Sequence, residues 1–156
     1  MKRLFVLFIL LMAPLNSLVA QTTVNSGSSN IDVQVKRCFA SGDDVSIDLM
    51  ITGRGAWKTL VFQPDGCVFY DDEGNRYTGG LYGRSEYRVI FETQESRHYQ
   101  LYLAIEKDIA RRVRIIVERV DEYASEFSLI KLPYMGDGAT GLEGTITIKN
   151  IPITRD

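Results

Sequence analysis

Histidine is almost missing from this chain, and cysteine, tryptophan and proline are scarce: one His, two Cys, one Trp and four Pro in 156 residues. With His98 as the sole imidazole and no GxSxG or HExxH sequence, neither a hydrolase triad nor a zincin-type centre can be assembled. Two cysteines are too few for a structural zinc site, and His98 does not complete one. Beyond residue 20 no apolar run approaches the roughly 20 residues that span a bilayer as a helix. The chain therefore reads as soluble, without membrane insertion. Neither sign of charge dominates, with 18 Lys and Arg against 20 Asp and Glu. No internal repeat or charge block divides the sequence.

What is present begins with MKRLFVLFILLMAPLNSLVAQ. Lys2 and Arg3 precede an apolar run from Leu4 to Ala13, then a polar break and small residues. This is the pattern of a secretory signal peptide over residues 1–20, cleaved after Ala20. Its removal leaves 16 basic against 20 acidic residues and a net charge of about −4. Such a surface suits neither nucleic acid nor an anionic membrane. The one basic cluster, Arg111 to Arg114, reads as the solvated start of a strand. The expected product is secreted or periplasmic.

Residues 21–29, small and polar, suggest a flexible leader, and a single domain is expected over 30–156. There the dominant signal is period-two alternation. Ile31, Val33 and Val35 alternate with Asp32, Gln34 and Lys36; Val45, Ile47, Leu49 and Ile51 alternate with polar residues across an SGDD turn. Further strands are expected at 57–63, 67–71, 75–78, 86–93, 97–106, 112–120, 126–132 and 143–150. Residues 104–124 contain good helix formers, but the β-branched alternation of ValArgIleIleValGluArgVal favours a strand preceded by a turn. Eight to ten short strands in a chain of this size predict an all-β fold, a two-sheet antiparallel sandwich, with a closed barrel as the alternative.

Three stretches look like sites. GDGATG, Gly136 to Gly141, matches the dinucleotide fingerprint GxGxxG, but a strand and not a helix comes after it, and 15 residues leave no room for the ribose-binding acid. It reads as a loop within Pro133–Gly144, and no cofactor is expected. YDDEGNRY, Tyr70 to Tyr77, offers three adjacent carboxylates, but not at EF-hand spacing. A hairpin with Gly74 or Asn75 at positive φ explains it, and no metal site is expected. Tyr77, Tyr82 and Tyr87 lie in or beside the glycine-rich YTGGLYGRSEY and are the candidate partner-binding residues, through stacking on a sugar or anchoring of a protein; the alternative reading puts their rings in the sandwich core and their hydroxyls at its rim.

Around YDDEGNRY, with VKRCFASGDDVSIDLMIT ahead of it, the chain resembles the immunoglobulin-like sandwich domains of uncharacterised secreted Gram-negative bacterial proteins. The resemblance spans roughly residues 30–150 and implies a fold and an export route, with no catalytic residues to carry over. The expected function is that of a non-enzymatic interaction module for an unknown protein or glycan, in the periplasm or at the cell surface. The alternatives are a hydrolase using a carboxylate pair, which the sequence does not single out, and a passive structural domain of an envelope assembly.

Cys38 and Cys67, in an export context, are expected to pair. Closing that loop would stabilise the fold by about 3 kcal/mol. Strand parity puts Cys38 with Lys36 and Gln34, off the apolar face, unless a bulge intervenes. The expected bridge is thus a peripheral clasp, not a core pin.

Overall fold

A computed structural model of the protein describes residues 21–55, 58–80, 88–93, 97–98, 100–136 and 143–155. About two thirds of them are in strands, and two antiparallel sheets form a sandwich. One sheet has five strands in the order β2 (Ile31–Ser41), β3 (Asp44–Gly53), β10 (Ala110–Val117), β7 (Val89–Glu92) and β8 (Arg97–His98). The other runs β1 (Thr23–Asn25), β12 (Glu143–Pro152), β11 (Glu126–Gly136), β4 (Lys58–Phe62) and β9 (Leu101–Ile105). Beside β4, the same edge of β11 also pairs with β5 (Val68–Asp71), which carries β6 (Arg76–Thr78). No helix among the described residues is long and apolar enough to cross a membrane.

Alternation produces the core. Ile47, Leu49 and Ile51 of β3 and Val113, Ile115 and Val117 of β10 point inward and are buried, each such side chain contributing about 1.5–3 kcal/mol. Across the sandwich they meet Leu60, Phe62, Ile130, Leu132, Ile146 and Ile148. Phe62 of one sheet and Phe91 of the other stack with centroids 5.7 Å apart, so the core is continuous between the sheets. Residues 104–124 are strand, turn and strand: β9 ends at Ile105, Asp108 turns at φ 60°, and β10 begins at Ala110.

Several sequence expectations are corrected. The leader 21–29 contains β1, which pairs with β12 from Thr23↔Lys149 to Asn25↔Thr147. Its small polar residues build the following turn: Asn25 Oδ1 accepts the Gly27 N–H at 2.9 Å, and Ser26 Oγ donates to Ser28 O at 2.7 Å. Residues 133–136, expected in a loop, extend β11, while 137–142 lie outside the described residues. Pro133 is tolerated in this central strand because that edge of β11 changes partner there, from β5 up to Lys131 to β4 from Tyr134. A 3-10 turn, Pro64–Gly66, links β4 to β5 and crosses this gap. A Cβ on Gly66 would lie 2.7 Å from Pro133 Cγ, so only glycine admits this approach.

The parity of Cys38 is also overturned. Val35 pairs with Leu49, but the next ladder pair is Arg37↔Asp48, so Lys36 is the extra residue of a β-bulge. Beyond it the faces exchange, Arg37 turns outward, and Cys38, opposite Ile47, enters the core at 5% exposure.

Candidate functional site

The YDDEGNRY hairpin proves to be a structural knot. Gly74 adopts φ +88°, and the buried Asp71 carboxylate accepts hydrogen bonds from the Asn75 N–H (2.7 Å), Asn75 Nδ2 (2.9 Å) and the Tyr77 hydroxyl (2.6 Å). The same hydroxyl accepts the Asp121 N–H at 3.1 Å, tying the hairpin to the β10–β11 connection. Asp72 accepts the Ser125 and Glu126 N–H groups at 2.9 and 3.2 Å and the Ser125 hydroxyl. Burial would raise the Asp72 pKa, but these donors outweigh it and hold it below the ordinary value. Both carboxylates thus face donors of the chain itself.

Tyr77 is therefore corrected as a partner-binding candidate. It is 1% exposed, packs edge-on against Phe127 with centroids 6.3 Å apart, and has its hydroxyl engaged inside the protein. Burial, reinforced by the Asp71 carboxylate, pushes its pKa up to about 12. The other two candidates, Tyr82 and Tyr87, lie outside the described residues, as do Trp57 and Tyr99. Among described aromatics, Tyr102 on β9 and Tyr123 stand well out into solvent.

The expected disulfide is not formed. Cys38 and Cys67 are both free and buried. The bulge carries Cys38 into the core from the five-stranded sheet, whereas Cys67, just before β5 of the other sheet, turns its thiol to Gln63 O at 3.3 Å. Burial pushes both thiols up to about 12. Arg155 partly offsets the rise at Cys38, while Asp65 adds to it at Cys67. Neither has the depressed pKa of a nucleophilic cysteine.

GDGATG begins at the end of β11, and after the undescribed 137–142 the chain continues as strand β12. A strand carries no N-terminal helix dipole, so β12 cannot receive a pyrophosphate as the helix of a dinucleotide fold does.

A cluster that sequence reasoning missed lies on the outward face of the five-stranded sheet. Antiparallel register places Arg37, Asp48, Arg114 and Glu92 side by side in one row across β2, β3, β10 and β7. Asp48 is an outward residue, yet only 1% exposed, because three guanidiniums cover it. Arg112 Nη2 and Arg114 Nε donate to it at 2.7 and 2.8 Å, and Arg37 Nε donates to the same carboxylate. Arg114 Nη1 reaches Glu92 at 3.4 Å. Burial would raise the Asp48 pKa, but the hydrogen bonds from Arg114, Arg37 and Arg112 dominate and hold it far below the ordinary carboxylate range. Arg37 and Arg114 also lie over the Phe39 ring, at 4.7 and 5.5 Å from its centroid. Beside the row, Glu92, Thr93, Arg112 and Arg114 line an open depression of about 170 Å³.

The solvated Arg111–Arg114 run is therefore resolved residue by residue. Arg112 and Arg114 converge on Asp48, and Arg111 turns to Glu106 at 3.4 Å. Periodicity marks Asp48 only as outward. Its cover depends on a bulge in the adjacent β2–β3 hairpin, which turns Arg37 to it, and on the register with β10, which brings Arg112 and Arg114 from more than 60 residues away.

No family model and no curated protein matches the chain. A solved structure described as "X-ray structure of Northeast Structural Genomics Consortium target SoR45" is similar at 13% identity and a TM-score of 0.39, over 85% of this chain and 86% of that one.

Proposed function

We propose that the protein is an exported, non-enzymatic interaction module, an immunoglobulin-like sandwich that binds a protein or glycan in the periplasm or at the cell surface. The signal-peptide pattern supports export. One observation carries the functional reading: the buried carboxylates serve the fold, while the guanidiniums covering one of them stay open to solvent. Asp71 is saturated by Asn75 and Tyr77. Asp48 is ringed by Arg37, Arg112 and Arg114, whose side chains remain 55%, 45% and 26% exposed. A glycosidase needs one carboxyl with a raised pKa as its general acid, and the hydrogen bonds at Asp48 push the other way.

Affinity capture from native envelope extract tests this reading. The mature chain should retain a saturable partner, and a variant with Arg37→Glu and Arg112→Glu should retain much less while keeping its far-ultraviolet dichroism. Turnover of an envelope glycan or peptide by the pure protein, lost on Asp48→Asn, would replace the module with an enzyme.

A further inference from the structure

We propose that the Arg37–Asp48–Arg112–Arg114 cluster and its adjoining depression form a binding site for the carboxylate of an acidic sugar, a uronate unit of an anionic glycan. The inference rests on the interaction-module reading and names its ligand. It begins with the bulge at Lys36, which turns Arg37 outward opposite Asp48. The β3–β10 register then brings Arg114 opposite Asp48 from the other side and Arg112 one row along, opposite Met50.

Among the described residues Arg37 gives only Nε, and Arg112 only Nη2, to Asp48. Their remaining N–H groups make no hydrogen bond to another described residue, and the two side chains are half-exposed. A carboxylate takes two parallel N–H donors from a guanidinium fork. Asp48 holds all three guanidiniums and the Phe39 ring lies beneath those of Arg37 and Arg114 before any ligand arrives, which lowers the ordering cost that long side chains impose on binding.

Charge and size select the class. The cluster holds three guanidiniums against the carboxylates of Asp48 and Glu92, a local positive excess on a chain with an acidic balance. An anionic group is therefore favoured here over the rest of the surface. Glu92 in the lining repels a densely charged polymer such as nucleic acid or an acidic peptide run. It accepts hydrogen bonds from hydroxyls. A uronate carries one carboxylate per ring among neutral hydroxyls, so it uses both the arginines and Glu92. The depression, about 170 Å³, is well below the roughly 300–1,000 Å³ of drug-sized pockets, and suits a single ring.

The test titrates an oligogalacturonate into the mature protein by calorimetry, with a neutral oligogalactoside and poly-glutamate in parallel. Saturable binding of the oligouronate that weakens with added salt is expected, with no heat from the neutral sugar and weaker binding of poly-glutamate. The double variant Arg37→Lys and Arg112→Lys keeps both charges but loses both forks, and should bind about tenfold more weakly with native-like dichroism and a melting temperature lowered by the loss of two donors to Asp48. Failure of the wild-type protein to bind the oligouronate overturns the uronate site, as does equal binding by the lysine variant. Equal binding of poly-glutamate overturns the sugar assignment in favour of an acidic peptide. If the oligouronate fails while envelope capture still retains a partner lost in the Arg37→Glu, Arg112→Glu variant, the uronate assignment falls and the module reading stands. If capture fails too, both fall.

Discussion

Asp48 is a carboxylate whose ionisation is built into the fold, and its linkage to pH has a definite sign. Its pKa is depressed in the folded state, so its contribution is fully present above the unfolded value of about 3.9 and is lost as pH falls through the lower folded value. Asp48→Asn should therefore cost about 2 kcal/mol near neutrality, the scale of hydrogen bonds to a charged group. The gap to wild type should close in urea titrations as pH falls below about 4. Tyr77 has the opposite dependence. Its pKa is raised to about 12, so its contribution is present below the unfolded value of about 10 and is lost as pH rises through the folded one. Tyr77→Phe leaves the Asp121 N–H without its acceptor and removes one donor from Asp71, at about 1–3 kcal/mol. Its melting temperature should approach that of the wild type only in strong alkali. A constant difference across that range would remove Tyr77 as the titrating group.

At the scale of elements, β2 and β11 carry the two irregularities that matter. The bulge at Lys36 is the reason Arg37 faces out and Cys38 faces in. Deleting Lys36 leaves Val35 inward, Arg37 outward and Cys38 inward on a regular ladder, so both faces should survive with a small change in stability. Alkylation is the readout: with pKa values near about 12, both thiols are almost wholly protonated at neutral pH and shielded. Wild-type and deletion variants should each show two slow thiols that become fast on unfolding. A fast Cys38 in the deletion variant would mean that the strand had slipped, and a disulfide in the purified protein would reject the free-thiol arrangement. In β11, Pro133 occupies the gap between two partner strands. The same residue that reads as a breaker in a linear sequence is harmless where no donor is needed.

For the whole molecule, the C-terminal segment closes the sandwich. The Ala40 N–H donates to Thr154 O at 2.8 Å and the Thr154 N–H to Cys38 O at 3.0 Å, covering part of the outer edge of β2. Arg155 Nη2 donates to Asp121 O at 2.7 Å and to Ala124 O at 3.1 Å, clamping the connection that also holds the YDDEGNRY hairpin. Ile153 is buried. Removing residues 153–156 deletes a buried isoleucine and these bonds together, with an expected cost of about 3 kcal/mol or more. Lower melting temperature and concentration-dependent association through the uncovered β2 edge should be visible by calorimetry and size-exclusion chromatography. A truncated chain that melts like the full one would show that the clamp is idle.

Alternation by itself determined the strands and their inward residues in β3, β10 and β12, because a period of two is a property of neighbours along the chain. It also placed the turn at YDDEGNRY and excluded a helix after GDGATG. What it could not carry was register. Asp48 looked like any outward aspartate until β2 and β10 brought Arg37, Arg112 and Arg114 to it. Tyr77, in an expected strand beside a glycine-rich stretch, could have faced a partner or the core until Asp71 and the Asp121 N–H enclosed its hydroxyl. Cys38 obeyed a parity that one extra residue reversed. A single-residue offset between paired strands exchanges the two faces of a sheet. The bulge that makes this offset in the β2–β3 hairpin and the pairing of β3 with the distant β10 are both fixed by how strands meet, so only the tertiary structure decided which polar groups are buried and which guanidiniums remain open to a ligand.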